Sequence, residues 1–257
     1  MAQIGYGYGS EWQLLRFLGH HRDRLNEEIF SQTGVKGTYH WLDFGFANRC
    51  KVMSEDSEIK GISFIKSLDT IDEQTYKDIE TEYKSFNIGK IDSWQNWDAV
   101  LVVDKAIYLV EAKAHTGELC GNEINGGTSA NNILKYMQLQ LQNLPVNEIW
   151  LKNYYQLANR LATTSLLNKH LNKKGISVRT MVIYFVNGYQ KRVIEGDKLY
   201  NKINKDASKD DFEKAIDKEL EFLGLKNVSL DSLLTKPVYI DCSGKMLFGS
   251  MEDKSNK

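Results

Sequence analysis

The chain reads as an α/β protein with a central mixed sheet flanked by helices. Three observations predict it: apolar residues at helical spacing between Ser10 and Ser31, two short apolar runs joined by Asp104-Lys105, and an unbroken apolar run from Val178 to Val186. A period near 3.6 marks an amphipathic helix, whereas a short continuous apolar run fits a strand buried on both faces.

Taken in order, Ser10-Glu11-Trp12-Gln13 has the form of a capping box, with Ser10 as N-cap and Gln13 three residues on. Trp12, Leu15, Leu18, Leu25 and Ile29 then recur on one face, so a helix is expected over about 10–31. Gly34 and Gly37 end it, and the aromatic stretch Tyr39 to Phe46 reads as a strand. From Cys50 to Ser93 the chain is a polar excursion in which Thr75 to Phe86 has helical character and an acidic face. A hairpin follows, then a glycine- and asparagine-rich loop from Gly117 to Asn132, and a helix from Ile133 to Leu144 that Pro145 stops. Trp150, Tyr154, Leu157, Ala158 and Leu161 share one face of a longer helix reaching Leu171. After the strand at Val178, a last helix from Asp210 to Leu223 turns Phe212, Ile216, Leu220 and Leu223 to one side, and Val238 to Asp241 forms a short strand.

The length of 257 residues, with two prolines and no Gly/Ser-rich linker or internal repeat, predicts a single domain over 1–257. Only Ser250 to Lys257 reads as frayed. A net charge of −1 excludes a globally basic protein, so any nucleic-acid surface is local. Arg16 to Arg24 and Lys169 to Arg179 are the basic stretches, and solvated helix faces and loops explain each of them alone. Cys50, Cys120 and Cys242 are few, odd in number and far apart, which fits neither a disulfide scaffold nor a zinc site. A reducing cytoplasm is the expected location. No basic segment followed by an apolar core opens the chain, and no apolar run is long enough to cross a bilayer, so neither export nor a membrane partner is expected.

The hairpin carries the chemistry. If Val103 pairs with Ala106 across the Asp104-Lys105 turn, Asp98 falls opposite Glu111, and Lys113 projects on the same face two residues on. Two facing carboxylates among Val, Leu and Ile are unfavourable unless something cationic intervenes, which points to a bound divalent cation. A cross-strand salt bridge from Lys113 to Glu111 or Asp98 is the plain structural alternative.

Asp98 with Glu111-Ala112-Lys113 thirteen positions on resembles the PD-(D/E)XK motif of restriction-endonuclease-like nucleases, with Trp97-Asp98 in place of Pro-Asp. The order helix, strand, strand, strand, helix, strand is similar to the αβββαβ core of that superfamily. Asn96-Trp97-Asp98-Ala99-Val100 and Glu111 to His115 also resemble its bacterial members. The likeness covers residues 10–187; residues 188–257 form a C-terminal helical extension whose role is open. It implies a metal-dependent nuclease hydrolysing phosphodiester bonds of defence, restriction or repair type, with DNA before RNA as partner and a homodimer as one admissible assembly. Asp98, Glu111 and the Ala112 carbonyl would hold magnesium or manganese, and Lys113 would orient the attacking water. Gln156, Tyr155 and Glu11 occupy supporting positions. A restriction-like fold retired to nucleic-acid binding or assembly is the alternative, and hydrolysis of another phosphoester is a third.

Plain roles stand beside these. Gln156, Asn159 and Arg160 also fit the solvated side of a helix, Tyr154 and Tyr155 fit packing, and Glu11 fits a first-turn acid at the helix dipole. Glu27, Glu28 and Glu82 are weaker accessory acids. His115 fits an edge residue, and His20, His21 and His40 lack partners at metal-ligand spacing. Gly5, Gly7 and Gly9 precede a helix without a strand before them or a Gly-Lys-Ser/Thr after, so no phosphate loop is assigned.

Overall fold

A two-residue turn sets the register of the sheet. The computed structural model describes residues 9–42, 59–89, 95–121, 123–195, 198–203 and 208–242. Strand β4 (Ala99–Val103) runs into β5 (Ala106–Lys113) with Val103 paired to Ala106 and Ala99 to Val110, as the sequence predicts. Asp104 supplies the left-handed backbone at φ 49°, which aspartate tolerates better than most residues.

Around this hairpin lies a five-stranded sheet. β1 (Tyr39–Leu42) pairs antiparallel with β4, while β6 (Ser177–Val186) lies parallel to β5, and β9 (Thr235–Asp241) lies parallel to β6. The order is β1-β4-β5-β6-β9. Two short pairs stand apart: β2 (Ile59–Lys60) with β3 (Asn96–Trp97), and β7 (Gln190–Glu195) with β8 (Lys198–Ile203).

Period-two alternation divides the side chains of β5. Tyr108, Val110, Ala112 and Ala114 pack with Leu14, Phe17, Leu18, Leu25 and Ile29 of α1 (Ser10–His20) and α2 (Arg22–Thr33). Ile107 and Leu109 face the other way. There they meet α5 (Tyr155–Leu171) and α6 (Lys209–Phe222), with α3 (Glu73–Ser85) and α4 (Thr128–Gln140) beyond. Glu111 and Lys113 therefore continue the α5 face.

Several boundaries differ from the sequence expectation. The first helix is two, broken at His21, and Gly9 rather than Ser10 is its N-cap, with no side-chain capping bond. Gln13 is engaged elsewhere: its Nε2 donates to the Gly188 carbonyl at 2.9 Å, across 175 residues of sequence. A tertiary bond has displaced the local one. The helix expected from Ile133 begins at Thr128, and Trp150 lies in a 3₁₀ turn (Glu148–Leu151) ahead of α5, its indole donating to the Leu223 carbonyl at 3.1 Å. Among the described residues, the C-terminal extension carries three strands besides its helix. Among the described residues, no helix is long and apolar enough to cross a membrane. Asp43 to Phe46, Cys50, Gly5, Gly7 and the tail from Ser250 lie outside the described residues.

One buried side chain completes the sheet where a strand is too short. Pairing of β9 with β6 begins at Thr180, so Val178 has a neighbour only on the β5 side. Asn168 of α5 fills the gap, accepting from the Val178 N–H at 2.8 Å and donating to its carbonyl. Both groups are buried, and an unpartnered buried backbone group costs about 1–3 kcal/mol. Asn168→Ala is therefore expected to lower unfolding stability by about 2–4 kcal/mol in urea titration, with the denaturant slope unchanged.

Candidate functional site

At the carboxyl end of β5 the apolar face gives way to charge. Glu111 and Lys113 are both buried, at 8% and 7% exposure, and the Lys113 Nζ lies 2.8 Å from Glu111 Oε1. The same ammonium donates to Gln156 Oε1 at 3.1 Å, so the structure brings the expected supporting glutamine onto the lysine.

Arg160, one turn after Gln156 on α5, holds the other oxygen of Glu111. Its Nε and Nη2 lie 3.1 and 2.9 Å from Oε2, and Nη2 also donates to the Asn96 carbonyl at 2.9 Å. The guanidinium sits 4.8 Å over the ring of Trp97, which is itself fully buried with its indole N–H on the Gly61 carbonyl at 2.9 Å. The Asn96-Trp97-Asp98 segment thus forms the bed on which Arg160 lies.

Asp98 departs from simple strand geometry. The ladder ends at Ala99–Val110, the chain bends at Asp98, and its N–H donates to the Val110 carbonyl at 3.1 Å. The Asp98 side chain accepts from the Ala112 N–H at 2.6 Å. Asp98 is thereby fixed beside the Glu111–Lys113 step, and its charge acts on Lys113, though not from the regular cross-strand position that the register arithmetic gives.

Electrostatics follow from burial. Desolvation alone would raise the Glu111 carboxyl, but Arg160 and then Lys113 outweigh it and hold the group well below the ordinary carboxylate value. For Lys113 desolvation pulls down, and Glu111 and then Asp98 overcome it, so its pKa is raised. The positive charge that two neighbouring acids require, which the sequence argument assigned to a metal, is already present on Arg160.

A second acid faces the same pocket. Glu219 of α6 is 4% exposed, and burial pushes its carboxyl up to about 8 despite the opposing charge of Lys113. Glu111, Lys113, Gln156, Arg160, Tyr184 and Glu219 share a cavity of about 30 Å³. From sequence Arg160 stands only beside Gln156 and Asn159 as a polar residue of the helix, without a role of its own, and Glu219 is not singled out at all. A signal existed for both: Arg160 is four residues from Gln156 on one helix, and Glu219 falls three after Ile216, on the apolar stripe of α6.

Other expected residues are placed elsewhere. Glu11 is half-buried in the first turn of α1, on the opposite sheet face, and does not line the cavity. Tyr155 is buried in the core near Tyr83 and Tyr136, a packing position. Asn159 is buried and gives its backbone carbonyl to Gln95 Nε2 at 2.9 Å, not to solvent. His115 accepts from the Gly117 N–H at 3.1 Å and meets the Tyr189 ring edge-on. Glu82 binds Lys169 and His170, each at 2.8 Å. With Lys174 on Asp72 and Arg179 on Asp231, much of the second basic stretch is occupied by acids.

Asp98 and Glu111 are hard oxygen donors of the kind magnesium takes while keeping several waters. The donor chemistry fits. Both Glu111 oxygens are already engaged, Oε1 by Lys113 and Oε2 twice by Arg160, so a cation there would share the carboxylate with these bases, and among the described residues no three His, Cys, Asp or Glu side chains are grouped to hold a metal ion. No family model, curated protein or solved structure matches this chain.

Removing one partner of a buried ion pair strands the other. Arg160→Ala should lower stability by about 3–5 kcal/mol at neutral pH, and Arg160→Lys should recover only part, because an ammonium lacks the planar fork that spans Glu111 and Asn96. Chemical denaturation of both variants tests this. Glu219 should show the opposite pH behaviour to Glu111. Folded Glu219 keeps its proton to about 8, against an ordinary 4.5, so the folded state binds more protons in that window and stability falls as pH rises through it. The stability of wild type relative to Glu219→Gln should therefore decline from about pH 5 to 8 and then level. The Glu111 contribution is present above its ordinary 4.5 and is lost as pH falls below it.

Proposed function

We propose that the chain is a metal-dependent nuclease hydrolysing phosphodiester bonds, in DNA before RNA, with magnesium or manganese as cofactor. The observation that carries this reading is the convergence of Glu111, Lys113 and Gln156 at the carboxyl end of β5, with Asp98 tied to the Ala112 N–H beside them. The central sheet, in which β1, β4 and β5 run antiparallel in turn and β6 lies parallel to β5, is mixed and flanked by helices, which supports the reading only at that coarse level. Ligands of open α/β sheets also favour the carboxyl ends of strands.

In this reading Asp98, Glu111 and the Ala112 carbonyl would hold the cation. When bound it would lower the pKa of a water and stabilise charge on the phosphoryl oxygens. Lys113, steadied by Gln156, would orient the attacking water and offset charge developing at phosphorus. Arg160, once off Glu111, presents a fork suited to a phosphate.

Binding without turnover is favoured by one observation, the closed set of ion pairs in which Glu111 is already satisfied by Lys113 and Arg160. Incubation with plasmid, linear duplex, single-stranded DNA and RNA separates the two. Cleavage with magnesium or manganese, stopped by chelator and reduced at least about 100-fold in Lys113→Ala and Glu111→Ala, is the expected result. Nucleic-acid binding with no cutting under any of these conditions would instead assign a binding or assembly role.

A further inference from the structure

We propose that Glu219 is a positioning residue for Lys113, holding the ammonium in place through a water in the pocket the two side chains share. Its consequence for catalysis rests on the nuclease reading; its geometry does not.

An ammonium has three N–H donors. Lys113 directs two at protein acceptors, Glu111 Oε1 at 2.8 Å and Gln156 Oε1 at 3.1 Å, and no third acceptor meets it among the described residues. Glu219 presents the complementary deficit. It lies on the apolar stripe of α6 with Phe212, Ile216 and Leu220, while Glu213, Asp217 and Lys218 point to solvent. At 4% exposure the residue is largely withdrawn from solvent, and burial and the charge of Lys113, with no hydrogen bond, set the electrostatics of its carboxyl. A buried carboxyl with no partner is costly, and a leucine would pack there without that cost.

Both groups line the same cavity, whose remaining walls include Leu119, Leu157 and Val182. Its volume of about 30 Å³ is enough for one or two waters. A water there accepts the third Lys113 N–H and donates to Glu219, whose carbonyl oxygen accepts in either protonation state. The Lys113 head group is then fixed from three sides: its own strand, α5 and α6. This gives the C-terminal extension a part in the site.

Two variants separate positioning from mere packing. Glu219→Leu removes the acceptor and fills the cavity, whereas Glu219→Gln keeps a carbonyl of the same reach. In full-length protein labelled with ¹⁵N-lysine, with the Lys113 ammonium resonance assigned by its loss in Lys113→Met, that resonance should shift in Glu219→Leu and return to near the wild-type position in Glu219→Gln. In cleavage assays kcat should fall about 10- to 100-fold in Glu219→Leu with KM unchanged, and recover in Glu219→Gln. If Glu219→Leu does not fold, Glu219→Ala takes its place in both measurements. An unmoved resonance in a folded Leu or Ala variant overturns the positioning role. Absence of cleavage by the wild type would defeat the nuclease reading alone, since the resonance still decides the role of Glu219.

Discussion

The organisation of the site depends on keeping a carboxylate ionised inside a sheet. An isolated charge of this kind is strongly disfavoured in an apolar medium, and pairing recovers the cost only when geometry is good and the remaining lone pairs are met. Glu111 meets that condition by dividing its oxygens, one to Lys113 and one to Arg160. A single partner would not suffice. Lys113 is equally buried and divides its own donors between Glu111 and Gln156, so a second cation from another element is what lets both charges remain.

That second cation binds the layers together. Arg160 comes from α5, its guanidinium rests on Trp97 of β3, and it reaches the Asn96 carbonyl of the same short strand. One side chain thus fixes the helix over the sheet, the strand entering the hairpin, and the carboxylate at its far end. Trp97, the residue before Asp98, has a definite task here: an aromatic face under a guanidinium stabilises a buried charge that an aliphatic side chain could not.

What the sequence disclosed follows from which interactions are local. The β4–β5 register was legible because a two-residue turn leaves little freedom and a slip by one residue would reverse every side chain. Strand β6 was legible from its unbroken apolar run, as was the apolar stripe of α6. Asp98 was placed only approximately, because a bend at the strand entry is decided by its own bond to Ala112 and not by pattern. The capping box at Ser10 misled for a related reason: Gln13 had a better partner at Gly188, far away in sequence. Arg160 and Glu219 were present as spacings, yet the carboxylate that Arg160 binds lies 49 residues away and the pocket that Glu219 lines is walled by other elements, and no periodicity carries that information. The hairpin β7–β8 was missed because its charge-rich strands, unlike β6, have no unbroken apolar run.

The position of the cluster along β5 is itself constrained. Ile107 and Leu109, on the same face, are enclosed by the helical layer, whereas Glu111 and Lys113 follow where that layer reaches the start of α5 and the flank of α6. One residue pair nearer the turn, the charges would meet the closed core and lose Gln156 and Arg160 together, since those two lie in the first two turns of α5. One pair further on, the chain has left the strand for the bend at Ala114 and His115. The site thus occupies the one step of this strand at which two acids and two bases can be enclosed and still be answered from three elements. It also lies beside the bend that turns Asp98 toward them, so the irregularity at Asp98 belongs to the same solution as the ion pairs.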